Sequence, residues 1–526
     1  MFIDATRYGR NGAVSTIDPL ASSAGLAMLR TGGSAADAAV AASAVLAVTS
    51  PHLCGMGGDL LAVVHPGGAG EPQSLLAVGA AGSGVDAQAL RDEGHTSMPM
   101  KGDVRSVTVP GCVDGWIALH ERFGRLPLAD VLEPARAYAA DGFPVGLLLS
   151  AVLPMVEGVS AARELFDGGP PRTCELRRRT ALARAIANIA SDGRRAWYDG
   201  DFGAGLLALG DGQFTRDDLG RSCAQWSTPV SRQVWGQTLH TTVAPSQGYL
   251  TLAHLAVLER LGPLPAVTDP AWVHRLVEAA RFSGADRPRR LYDGADPAAL
   301  LAEDDIEAWA SMVDLERAGG VVPPTGPGGT IYLCAIDADG GAVSLSQSNA
   351  SGFGCHLGVE SVGVLLHNRG IGFSLDPTSP AVLRPGARPP HTLSPLLATD
   401  ATGAASLVAG TMGGDAQPQI LLQLLSRLHA GETPAAALAA PRWSFASPGG
   451  GGFDIWGEGL DAAPAMTVRL EPHAPADWET GLRARGHRVE RPPGGLFGHA
   501  HLAQRQTDGV WAAAADPRAA GSAAVW

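Results

Sequence analysis

Basic residues are scarce in this chain. Lysine and arginine number 39 against 52 aspartates and glutamates, leaving a formal charge of −13 over 526 residues. No basic stripe is available to neutralise phosphates, which excludes a nucleic-acid binder. Long apolar runs are also missing. The longest, "AADAAVAASAVLAV" at 35–48, is alanine-rich, broken by Asp37 and too short to span a bilayer. The opening "MFIDATRYGRNGAV" has no basic region leading into an apolar core, so it is not read as a secretory signal. Six cysteines without a C-x-x-C pair read as free thiols of a cytoplasmic protein. G-x-S-x-G, G-x-x-x-x-G-K-[ST] and H-E-x-x-H are all absent, which removes the hydrolase elbow, the P-loop and the zincin site. "GFGCHLG" (352–358) imitates a dinucleotide fingerprint, but a strand-like run follows it where a helix is required. "GHAH" (498–501) reads as a polar loop. No metal and no cofactor is expected.

What is present is a large apolar share, 45%, with 17% charged residues, the balance of a globular protein with a sizeable core. The length admits either several domains or one layered α/β body. Helical spacing covers 18–30, 34–48 (with Ser34 as cap), 128–142 and 177–193, and two further stretches fall within 245–282. "LLAVVH" (60–65) reads as a strand. "TIYLCAID" (330–337), Asp339-Gly340 and "GAVSLSQS" (341–348) give strand, tight turn and strand. Strands are also expected at 361–367 and 405–410. Residues 415–431 form an amphipathic helix with Ile420, Leu421, Leu424, Leu425 and Leu428 on one face and Gly431 at its end. Helices, then sheet, then helices again predict stacked layers.

Chemistry concentrates at "PPTGPGGTIYLCAID" (323–337), where a loose Pro/Gly loop runs into a strand at Thr330. A threonine hydroxyl is a weak nucleophile without a base, but an N-terminal threonine carries one in its own α-amine, with a reference pKa near ~8. Exposing that amine requires a cut before Thr330. By propensity alone Thr330 is only a β-branched strand starter. "GTMGGDAQPQ" (410–419) supplies a second component: Gly413 and Gly414 sit where a strand meets a helix N-terminus, which suits an oxyanion site and equally suits a plain turn.

The segments at 32–64, 107–145, 180–200, 214–219, 244–252, 328–354, 410–417 and 515–523, in that order, closely resemble the gamma-glutamyltranspeptidase family of N-terminal nucleophile hydrolases. The resemblance implies an α+β fold, a four-layer αββα sandwich. It also implies one precursor that cuts itself into a large subunit, 1–329, and a small subunit, 330–526. It makes Thr330 the nucleophile, Gly329–Thr330 the self-cleavage bond, and Gly413 and Gly414 the oxyanion donors. Ser348 stands where the family has a threonine hydroxyl near the nucleophile's amine.

The parts that hold a γ-glutamyl zwitterion depart from the family. Gly79 stands roughly at the arginine's place and Gly372 at the aspartate's; His391 and Thr392 replace paired serines. The family's asparagine position holds Ala350, with Asn349 beside it. Arg369 remains as a cation able to face an acyl carboxylate. The expected function is therefore a self-cleaving amidohydrolase or acyltransferase, acting on a small-molecule amide through an acyl-enzyme on Thr330 with altered acyl specificity. Arg369, His391, Thr392 and Asn349 are the expected substrate contacts. The alternatives are a true γ-glutamyl hydrolase or transpeptidase acting on glutathione-like substrates, its clamp supplied by another arginine such as Arg91 or Arg105, and an unprocessed, non-enzymatic binding paralogue.

Overall fold

The structure is a computed structural model that describes residues 4–320, 329–446, 466–493 and 497–526. The Pro/Gly leader at 321–328 lies outside the described residues.

The strand Gly329–Ile336 is buried along its whole length. Its side chains alternate between two surroundings. Ile331, Leu333 and Ala335 enter a cluster shared with helices, while Tyr332, Cys334 and Ile336 enter a cluster shared with another sheet. A strand covered on both faces belongs to an inner layer. Its sheet runs Ser522–Val525, Ala13–Thr16, Gly329–Ile336, Gly341–Ala350, Asp59–Pro66, Gln73–Ala77, Ala224–Ser227, every neighbour antiparallel. The facing sheet runs Arg7–Gly9, Trp511–Ala515, Ala500–Arg505, Ala405–Thr411, Leu396–Thr399, Gln237–Thr241, Val230–Val234.

Helices cover both outer faces. On the first sheet lies Ala35–Thr49, buried on every side and capped by a reciprocal Ser34–Asp37 pair of bonds. Its alanines let it pack closely against both the sheet and Pro19–Arg30. On the second sheet lie Tyr249–Arg260, Pro270–Ala285 and Gln417–His429. The result is the expected αββα order. Strands from before and after the Gly329–Thr330 bond interleave in both sheets, so the two segments share one core.

The expected strand at 361–367 is the main local difference. Only Val364–Leu365 is extended, paired with Gly358–Val359 in a two-residue ribbon, because Glu360–Val362 is a 3-10 turn closed by Gly363 at φ 63°. The expected helix at 415 begins instead at Gln417, after a 3-10 turn Gly414–Ala416.

Candidate active site

Thr330 sits at the end of its strand, fully buried, beside an irregularity in the ladder. Gly329 pairs with Ala350 and Ile331 with Gln347, so the neighbouring strand carries an extra residue opposite Thr330. Such a bulge re-aims side chains at a strand end. The Ser348 hydroxyl lies 3.0 Å from the Thr330 hydroxyl and donates to the Gly329 carbonyl at 2.6 Å. With its single proton so placed, Ser348 accepts from Thr330. It also accepts from the Ala350 N–H at 2.8 Å and from Arg369 Nη2 at 2.9 Å.

Arg369 is buried in the 3-10 turn Arg369–Gly372. Its other terminal nitrogen donates to Thr392 Oγ1 at 3.2 Å. Burial pulls its pKa down to about 10, against the opposing pull of Asp59 and Asp415, so it remains a cation at neutral pH. The expected partner Thr392 therefore joins the cluster through Arg369.

His391 faces a residue that the sequence did not single out, Asp59. The register places Asp59 directly opposite Ser348 on the next strand. The carboxylate stands 3.3 Å from His391 Nε2, 3.2 Å from His367 Nδ1 and 3.9 Å from Arg369 Nε. Burial opposes ionisation of Asp59, but the electrostatic pull and hydrogen bonding of His367, with the hydrogen bond from His391, outweigh it and hold the carboxyl below its ordinary range. Burial, together with the Arg369 charge, lowers His391 to about 3, so its ring is neutral and donates from Nε2 while Nδ1 accepts from the Leu393 N–H. An acid opening the apolar run "DLLAVV" straight after glycines was the available signal. Asn349 is pinned elsewhere: its amide donates to the Pro51 carbonyl at 3.2 Å and its N–H to the Leu53 carbonyl.

Gly413 and Gly414 both take positive φ, 140° and 55°, a path open to glycine at little cost. Gln247, also missed from sequence, binds the Gly414 carbonyl. Asp415, next in the chain, is paired with Arg287; burial raises its pKa and Arg287 opposes that rise.

Gly79 and Gly372, the glycines expected at the family's charge positions, are closed to side chains. A Cβ on Gly79 would stand 1.7 Å from the Val109 carbonyl oxygen, and one on Gly372 would stand 2.4 Å from that of Pro390. Arg91 donates to the Leu375 carbonyl and to Gln88, and Arg105 pairs with Asp103 and Glu93, so both are engaged away from Thr330. Clefts of about 390 Å³ around Gly79 and Arg388, and of about 540 Å³ around Glu164 and Glu360, are lined by neither Thr330 nor Arg369.

Among the described residues, His274, Glu278 and His487 form one buried set with metal-ligand chemistry. There His274 and His487 share a hydrogen bond of 2.8 Å and Arg281 donates to Glu278, so a guanidinium already supplies the positive charge.

The gamma-glutamyltranspeptidase family model matches residues 21–526. The chain belongs to that family. It is 34% identical to the oxamate amidohydrolase proenzyme of Klebsiella pneumoniae subsp. pneumoniae, with 96% of each chain covered. It is 33% identical to the glutathione hydrolase-like YwrD proenzyme of Bacillus subtilis, again over 96% of each. The crystal structure of cephalosporin acylase from Bacillus halodurans superposes with a TM-score of 0.89 at 30% identity, covering 100% of this chain and 98% of that one. This gamma-glutamyltranspeptidase-family protein is thus a self-processing amidohydrolase or acyltransferase with the N-terminal nucleophile hydrolase fold and non-standard specificity. The unprocessed binding protein drops out as an alternative. No helix among the described residues is long and apolar enough to cross a membrane.

Proposed function

We propose that Thr330 is the nucleophile of an amidohydrolase whose donor carries a carboxylate close to the scissile carbonyl and no α-amine, oxamate being the simplest such amide. The observation that carries this reading is the place of Arg369: its guanidinium is one hydroxyl away from Thr330, through Ser348. A γ-glutamyl donor puts three carbons between its reacting carbonyl and its carboxylate, too long for a cation so near the nucleophile. The same donor's α-ammonium would meet Arg369 without the aspartate that Gly372 replaces, and leaving a buried charge unpaired costs about 3–5 kcal/mol. The similarity to a protein named for oxamate supports the same class.

Maturation comes first. The Thr330 hydroxyl attacks the Gly329 carbonyl, whose oxygen Ser348 already holds, and the amide becomes an ester as the Thr330 nitrogen leaves. The Arg369 cation on Ser348 strengthens that hydrogen bond. Water then cleaves the ester, freeing the Thr330 amine and the Gly329 carboxylate. In turnover the amine takes the hydroxyl proton, Thr330 attacks the donor amide, and the N–H groups of Gly413 and Gly414 receive the tetrahedral oxygen. Ammonia or an amine departs and water releases the acyl group. The six unpaired thiols, five of them buried, suit work in the reducing cytoplasm.

The test is a donor panel on processed protein. Oxamate should be turned over at least about a hundredfold more efficiently than a γ-glutamyl anilide, about 2.8 kcal/mol at ~1.4 kcal/mol per tenfold. Equal or better use of the γ-glutamyl donor overturns the acyl assignment.

A further inference from the structure

We infer that Gln247 is a positioning residue that sets the oxyanion loop from the loop that seats Arg369; the inference rests on reading Gly413 and Gly414 as the oxyanion donors. Gln247 lies between the strand Gln237–Thr241 and the helix Tyr249–Arg260, fully buried. Its backbone is fixed against the 391–394 loop: its N–H donates to the His391 carbonyl at 2.8 Å, and the Ser246 hydroxyl donates to the Leu393 carbonyl at 2.6 Å. Its side-chain amide donates at 2.9 Å to the Thr392 carbonyl and at 2.9 Å to the Gly414 carbonyl. Both partners are carbonyls, so the amide nitrogen must face them and the orientation of the side chain is decided. Oε1 is buried without a partner, so the residue is held through its donors.

The consequence is a continuous chain of hydrogen bonds. Thr330 meets Ser348, Ser348 meets Arg369, and Arg369 meets Thr392; Gln247 then joins the Thr392 carbonyl to that of Gly414. A second glutamine repeats the tie, since Gln417 Oε1 accepts from the Ser394 N–H at 3.0 Å. The nucleophile and the oxyanion loop thus share a frame that passes through the acyl-carboxylate cation. Two successive glycines at positive φ have no intrinsic preference for one path, and an external tie is what fixes their N–H directions.

The experiment compares Gln247→Met and Gln247→Glu with wild type on oxamate and on its neutral counterpart oxamide. Kcat is normalised to active sites by the acyl-enzyme burst. Gln247→Met should lower kcat about 10- to 100-fold for both donors, with KM within about threefold, as expected when a reacting group is misplaced. Self-cleavage should persist, because Ser348 serves the Gly329 carbonyl in that step. In Gln247→Glu the carboxyl can donate only when protonated, so the ratio of its kcat to that of wild type should rise as pH falls. A role confined to folding would lower the melting temperature and the active fraction without giving that pH dependence. Should Gln247→Met not accumulate, Gln247→Glu, which keeps the side-chain shape, carries the test. Unchanged kcat per site, or a pH-independent ratio, overturns the inference. Absence of an acyl-enzyme in the wild type instead overturns the reading of Thr330 beneath it.

Discussion

The proposed cleavage junction and the proposed acyl pocket are built by opposite means. At the junction, Thr330 and Ser348 occupy adjoining strands, and their separation of 3.0 Å follows from ladder register and one bulge. In the proposed pocket, Arg369, His391 and Thr392 come from irregular turns drawn together by the Asp59 carboxylate, which lies near Arg369 and accepts from His391, and by a hydrogen bond from Gln247. Backbone geometry tolerates little change, whereas loops accept new side chains without disturbing the sheet. On the proposed assignment, that difference explains how a family can keep its chemistry while its recognition elements change, here to two glycines with no room for a side chain.

The sharpest way to break the comparison is Thr330→Ala. It should abolish self-cleavage and lower turnover by at least about 10⁴-fold, the scale seen when a nucleophile is removed, leaving a single 53.9 kDa species by intact mass. A processed Thr330→Ala protein would place the cut elsewhere. Ser348→Ala should slow processing by about 10²- to 10³-fold, the usual effect of deleting one donor to a developing oxyanion, read from a time course on denaturing gels. Processing at the wild-type rate would show that the Gly329 contact is structural only.

On the recognition side, Arg369→Met should lower the ratio of oxamate to oxamide efficiency about tenfold to a hundredfold, equivalent to one charge-assisted pair of about 1.5–3 kcal/mol. An unchanged ratio would remove Arg369 from the pocket. Gly79→Arg sharpens the contrast from the other direction. The new side chain meets the Val109 carbonyl, so it should cost about 1–3 kcal/mol of stability and restore no γ-glutamyl turnover. A stable variant with gained γ-glutamyl activity would contradict the closed pocket.

The smallest effect concerns pH. His391, held to about 3 by burial, is neutral in the folded state but protonates near ~6.5 when unfolded. Below ~6.5 the unfolded chain binds the extra proton, so stability contributed by the neutral ring falls as pH drops, by at most about 1.4 kcal/mol per unit. His391→Gln should flatten the decline of melting temperature between pH 6.5 and 5 by that one group's share. His52, His254, His487 and His501, also near 3 through burial, and His240 and His499 near 4, would keep the rest of the slope.

The strands at 330–337 and 341–348 were readable because both faces are buried and an Asp-Gly turn separates them, and Ser34 announced its helix through a cap. The run at 361–367 was misread because apolar composition alone does not separate a strand from a buried turn, and Gly363 decided for the turn. Arg369, His391 and Thr392 were found by position against family motifs, but their partners were not. Asp59 was missed although an acid opening an apolar run after glycines was a weak local signal, and Gln247 was invisible because nothing local distinguishes a buried amide with a distant partner from an ordinary one.

The sequence by itself determined the layered fold, the family and the place of Thr330, since periodicity, turn chemistry and motif order are local properties of the chain. Only the tertiary structure decided that Asp59 faces His391 and that Arg369 stands one hydroxyl from Thr330. It alone also decided that Gln247 joins two loops and that Gly79 has no room for a side chain. Those facts depend on segments between 18 and 332 residues apart meeting in space, where short-range interactions act between neighbours in space rather than in sequence.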